Sequence, residues 1–257
     1  MGRTVLDVAM LLGTQAGYHP GAPLSLAGRL DEFATVDQAR AALAHQPPGT
    51  RVGWLGDLDG YLAMEPGIID RCDAALRSME AALGCTVEPT TFDMSPARVW
   101  EAWLIWRYFL VSANLAPMVT SPARRELMKP EALWEVDHGL QVTGPQITRA
   151  AAERTSFYSS ITALFDRFDV LALPTAQVWP FDAAERWPRR IGEREMDTYH
   201  RWMEVTSYAT FAGLPAISVP VGFDDRGLPM GMQLIGRPRG DVDLLRLAHA
   251  YESTLDR

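Results

Sequence analysis

Apolar residues recur along this chain at two spacings. Val8, Leu11, Leu12 and Ala16 fall at helical intervals, behind a capping pair of Thr4 and Asp7 and ahead of Gly17. Residues 51–55 read as a buried strand and residues 56–60 as a turn. A helix follows with Pro66 in its first turn and Ile69, Cys72, Leu76, Met79 and Leu83 on one face. Gly84 stands where a left-handed residue ends a helix, and residues 86–88 form the next strand. Strand, helix, strand in this order predicts a layered α/β sheet.

The second half repeats this alternation. Ser95 and Pro96 introduce a helix to residue 116, and its tryptophans mark it as a core element. A helix over 146–165 leads to a strand over 168–173, closed by Pro174 and Thr175. Residues 179–194, rich in Pro and Arg, read as a long loop, and residues 197–211 as a helix. Two apolar runs then meet at the turn Asp225-Arg226-Gly227, and Leu244, Ala248, Tyr251 and Leu255 line a final helix. Val170, Leu171, Ile217, Val219, Leu234 and Ile235 read as strand positions buried on both faces. Residues 18–25 form a loop and residues 30–43 a loop with a short helix, with no repeat or domain boundary along the chain.

Composition narrows the functional classes. With 47% hydrophobic and 22% charged residues, the 257-residue chain can bury a large core. A formal net charge of -8 without a basic run argues against nucleic acid, whose phosphates need clustered cations. Residues 100–119 are the most apolar stretch, but Glu101, Arg107, Asn114 and Pro117 make it a buried helix rather than a membrane span. Two cysteines, Cys72 and Cys85, make no disulfide framework. The expected setting is reducing and cytoplasmic, with no cofactor.

Few residues carry chemistry by themselves. His19, His45, His138, His200 and His249 have no zinc-motif spacing, so no metal site is expected. Asp57-Leu58-Asp59-Gly60 opens like a calcium loop, but its later glutamate position is Ile68, and a turn is the better reading. Ser156, Ser159 and Ser160 lack a nucleophile elbow, and Ser218 lies mid-strand as a hydrogen-bonded group. The single lysine, Lys129, is set among Arg124, Arg125, Glu126 and Glu131, which indicates a solvated surface. No catalytic residue is expected in this chain. The best binding candidates are Thr175, Gln177 and Trp179, after the carboxyl end of a buried strand. Simple alternation would put all three on one side.

The stretch Gly213-Leu214-Pro215-Ala216-Ile217-Ser218-Val219-Pro220-Val221-Gly222-Phe223, followed by Gly227-Leu228-Pro229-Met230-Gly231-Met232-Gln233-Leu234-Ile235-Gly236-Arg237-Pro238 and the helix over 244–251, resembles the closing segment of the amidase signature family. Asp169-Val170-Leu171, ahead of Pro174-Thr175, resembles that family's strand, and residues 2–12 resemble the helix after its catalytic loop. The resemblance implies a mixed sheet flanked by helices and an acyl-serine mechanism run by a serine, a second serine in a cis peptide and a buried lysine. It also implies that residues 174–179 help wall the substrate pocket. The Gly/Ser-rich stretch that carries the catalytic residues does not occur in this sequence. The chain is therefore expected to be the carboxyl-terminal portion of a single amidase domain, spanning residues 1–257 and inactive alone. Its expected partners are a small-molecule amide and the missing amino-terminal half, with no nucleic acid or membrane. The alternative is a non-catalytic module, or a subunit that complements a separate half. Thr210 stands where the family usually has Asn, which weakens an assignment to its tRNA-dependent branch.

Overall fold

The computed structural model describes residues 1–45 and 48–255. Helix α1 (Val5–Gln15) starts at the predicted cap: the Thr4 hydroxyl accepts from the Asp7 amide, and the Asp7 carboxylate accepts from the Thr4 amide. Helix α2 (Val36–Leu43) precedes strand β1 (Arg51–Trp54), and helix α3 (Ile68–Leu83) leads to β2 (Thr86–Pro89). The β1–α3–β2 unit is parallel, as the strand-helix-strand order requires. Gly84 ends α3 at φ 65°, the left-handed conformation a glycine reaches without strain.

Helices α4 (Pro96–Leu115), α5 (Pro122–Glu126), α6 (Pro130–Gly139) and α7 (Gly144–Ala163) come next, before β3 (Val170–Pro174). A small hairpin, β4 (Arg190–Ile191) and β5 (Arg194–Glu195), and the short helix α8 (Ser207–Ala212) lead into β6 (Ala216–Phe223) and β7 (Pro229–Gly236). Helix α9 (Asp241–Glu252) is the last described element. The main sheet has the order β2-β1-β3-β7-β6, parallel from β2 to β3 and antiparallel at β7 and β6. Asp169 joins β1 and β3. Its carboxylate accepts from the Arg51 amide and side chain and from Arg237, 3.0–3.2 Å away.

Helices α1, α2, α3 and α9 cover one face of the sheet around Val52, Val170, Ala172, Val219 and Leu234. Helices α4, α7 and α8 cover the other around Leu171, Leu173 and Ile235. Helices α4 and α6 approach closely at Gly139, where a β-carbon would stand 2.2 Å from the Tyr108 carbonyl oxygen. Cys72 and Cys85 are free and buried, and burial pushes the Cys72 thiol up to about 12. No helix among the described residues is long and apolar enough to cross a membrane.

Four expectations need correction. Strand β6 is not buried on both faces: Val219 and Val221 point inward, whereas Ala216, Ser218 and Pro220 are exposed, because no described helix of this chain lies over that end of the sheet. The helix expected over 197–211 is a 3₁₀ segment, Arg201–Thr206, followed by the six-residue α8. Met203 breaks the helical backbone, and side chains from elsewhere occupy both backbone groups of Val205. The loop expected over 179–194 holds the β4 strand, pinned by a small core of Val178, Trp187, Ile191 and Met196. Helix α3 begins after Pro66, because Gly67 at φ 85° turns the chain first.

Candidate functional site

The carboxyl end of β3 meets the exposed face of β6 and β7. The Thr175 amide donates to the Gly231 carbonyl at 3.0 Å, one step past the last β3–β7 pair. Across the sheet, Ser218 pairs in register with Gln233. The hydroxyls of Thr175 and Ser218 then meet at 2.8 Å. Gly231 makes room for them, since a β-carbon there would stand 2.6 Å from Ser218 Oγ and 3.1 Å from Thr175 Oγ1. Ser218 is exposed and Thr175 partly so, which makes this pair a polar surface at the sheet end.

Two glutamines fasten that surface to its surroundings. Gln233 Nε2 donates to the carbonyls of Pro174 (2.9 Å) and Val205 (3.0 Å). Gln177 Oε1 accepts from the Val205 amide at 3.1 Å, and its Nε2 donates to the Ala63 carbonyl at 2.9 Å. Val205 is thus held from both sides, which sets α8 against the end of β3. Glu65 completes the frame by accepting from the Trp179 amide at 2.7 Å.

The structure separates the three candidates that alternation would align. Thr175 presents its hydroxyl to the open face, whereas Gln177 is 1% exposed and turns inward. Trp179 is also buried, with its indole N–H donating to the Pro66 carbonyl at 3.1 Å. Strand β3 ends at Pro174, so the period-two rule does not extend to residues 175–179. The sequence reading missed Glu65 and Gln233. A glutamine inside an otherwise apolar strand was the available signal for the second.

The hydroxyl pair has no activating base among the described residues. Neither hydroxyl bonds to a lysine, histidine or carboxylate among the described residues, and Lys129 is exposed at the start of α6, as expected. No metal-binding group occurs among the described residues. Asp57 accepts from the Gly60 amide at 2.9 Å, in the predicted turn.

Buried charge lies deeper. Glu204 accepts from Arg201 and from the Tyr208 hydroxyl, at 2.9 and 3.0 Å. On α6, Glu135 bonds Arg107 Nε at 2.9 Å and His200 Nε2. Burial by itself raises the Glu135 carboxyl, but the His200 hydrogen bond and the Arg107 charge more than offset it and hold it below the ordinary glutamate value. The folded state therefore binds this proton less tightly than the unfolded chain does. The resulting stability is present above the ordinary value and lost as pH falls through the lowered one. Glu135→Gln is expected to flatten the acid limb of a plot of Tm against pH. An unchanged limb would assign the acid dependence to other lowered carboxylates such as Asp169 and Asp197.

Comparison with known proteins bears on this arrangement. The family model described as Amidase matches residues 1–245. The chain is 29% identical over 275 residues to a glutamyl-tRNA(Gln) amidotransferase subunit from Thermosynechococcus vestitus, covering 98% of the chain and 54% of the relative. It is 28% identical to a putative amidase from Synechocystis, covering 99% of the chain and 46% of the relative. A bacterial aryl acylamidase of the amidase signature enzymes superposes with a TM-score of 0.85 at 27% identity, over 98% of this chain and 51% of that one. The chain thus spans about half the length of the relatives it matches.

Proposed function

This chain belongs to the amidase family, and we propose that it forms the carboxyl-terminal portion of a serine-dependent carboxylic amide hydrolase. In this reading the nucleophilic serine, the bridging serine and the lysine lie outside these 257 residues. The lysine draws a proton through the bridging serine while the nucleophile attacks the amide carbon. The amine departs, and water hydrolyses the acyl-serine to the acid.

The observation that carries this reading is the open polar face at Thr175 and Ser218, a stretch of the sheet end that this chain's described helices leave uncovered. Thr175 is assigned to the substrate wall. Gln177 and Trp179 shape that wall from behind, through Val205, Ala63 and Pro66. The test is an enzyme reconstituted with an amino-terminal amidase half. Thr175→Val is expected to change the ratio of kcat/KM between small and bulky amides by about tenfold, the usual scale for one pocket contact. An equal loss for every amide, or none, would remove Thr175 from the wall.

A second reading is a non-catalytic module, or a subunit that complements a separate half. It is favoured by the cover this chain's own helices give Val170, Leu171, Val219, Leu234 and Ile235, each no more than 5% exposed. An in-frame upstream extension encoding the serine and lysine elements supports the first reading, and a stop codon there supports the second. Thr210 favours general amidases over the tRNA-dependent branch. Its hydroxyl donates within its own helix, to the Thr206 carbonyl.

A further inference from the structure

Arg107, on α4, borders a cleft of about 620 Å³ between the end of α4, the start of α6 and residues 183–186. Its guanidinium is held in place from behind. The Nε–H donates to Glu135 Oε1, with Nε 2.9 Å away, and His200 Nε2 bonds the same oxygen; the Glu135 and His200 side chains are 4% and 1% exposed. The guanidinium carbon also stands 5.6 Å from the Trp103 ring. This clamp leaves Glu135 Oε2 and His200 Nδ1 buried without partners, an unfavourable arrangement that packing on Trp103 does not require. Its result is a guanidinium fixed at Nε, with both terminal nitrogens unused by any described residue and 37% of the side chain exposed.

Besides Arg107, the charged residues that line the cleft are Lys129, Arg186, Glu131, Glu135 and Glu185. Lys129 makes no ion pair among the described residues. Of the three acids that line it, Glu131 accepts from Arg186 and from the Trp187 indole, Glu135 is bound to Arg107 and His200, and Glu185 makes no ion pair among the described residues. Val111 and Leu115 add apolar wall. Two cations with unspent donors beside hydrocarbon suit a planar anion carrying an apolar body.

We propose that this cleft binds a small organic carboxylate, with its oxygens on the Arg107 terminal nitrogens and Lys129 and its hydrocarbon along Val111 and Leu115. The proposal does not depend on amide hydrolysis by this chain, and its test reads binding alone. Calorimetric titrations of the 257-residue chain would compare benzoate and hexanoate with benzamide, hexanamide and inorganic phosphate. Saturable binding of the two carboxylates is expected, weakening as salt rises. Lys129→Gln and Arg107→Lys should each weaken it by about tenfold or more, the loss of one charge-assisted hydrogen bond. Lys129 is exposed, so its substitution separates lost binding from lost folding. No saturable binding, benzamide binding as well as benzoate, a preference for phosphate, or unaltered affinity in both variants would each overturn the proposal.

Discussion

The purified 257-residue chain is expected to release ammonia from aliphatic and aromatic amides no faster than the buffer blank. Attack on an amide at neutral pH needs a nucleophile made reactive by a base or a lowered pKa. The hydroxyls at the candidate site, Thr175 and Ser218, bond each other, and no basic side chain among the described residues reaches either. Lys129 is exposed at the start of α6 and makes no hydrogen bond to either hydroxyl. Enzymes stripped of their triad keep only about 10³–10⁴-fold over water, and that remainder comes from an oxyanion hole and substrate binding. The sequence lacks the Gly/Ser-rich loop whose amides would supply such a hole. Co-expression with the amino-terminal half of a related amidase is expected to restore turnover. Ammonia release by the chain alone that survives repurification, and is abolished by Ser218→Ala, would refute this assignment.

Glu204→Ala is expected to destabilise the chain by about 3–5 kcal/mol, the scale for removing one partner of a buried ion pair. That is a large share of the roughly 5–15 kcal/mol that holds a typical domain folded. The Glu204 side chain is fully buried, and Arg201, at 12% exposure, is its ion-pair partner. Without it Arg201 keeps Asp197 and its position 4.5 Å over Trp100, while the buried Tyr208 hydroxyl loses its acceptor. Glu204→Gln keeps the volume and an acceptor for Tyr208, so a smaller loss is expected. Denaturant unfolding monitored by tryptophan fluorescence measures both. An alanine variant within about 0.5 kcal/mol of the parent, the range of ordinary surface changes, would show that this network does not hold the fold.

Glu204 also acts on the pH dependence, opposite in sign to Glu135. Burial raises its carboxyl, and Arg201, Tyr208 and Tyr61 only partly counter this. The folded state therefore binds this proton more tightly than the unfolded chain. Its contribution is complete below the ordinary glutamate value and is lost as pH rises through the raised one.

Much of the fold was legible because local chemistry encodes it. Thr4 and Asp7 cap α1, Gly84 ends α3, and Asp225-Arg226-Gly227 makes the turn between β6 and β7, all through groups a few residues apart. The strand-helix-strand order gave the parallel pair, and the apolar runs after Gly213 gave the hairpin and the family resemblance. Thr175 was legible as the end of a buried strand.

Tertiary structure alone decided what surrounds these elements. Gln177 reads as a pocket residue in sequence, but its amide is taken up by Val205 and Ala63, 28 and 114 positions away. His200 showed no spacing to a carboxylate, yet it lies against Glu135 across 65 positions. The helix expected over 197–211 broke because the amide and carbonyl of Val205 found partners in Gln177 and Gln233. Hydrophobic periodicity reports which face of an element is buried. It does not report which distant polar group will pair with a buried one, and in this chain that choice sets both the glutamine frame beside Thr175 and the clamp on Arg107.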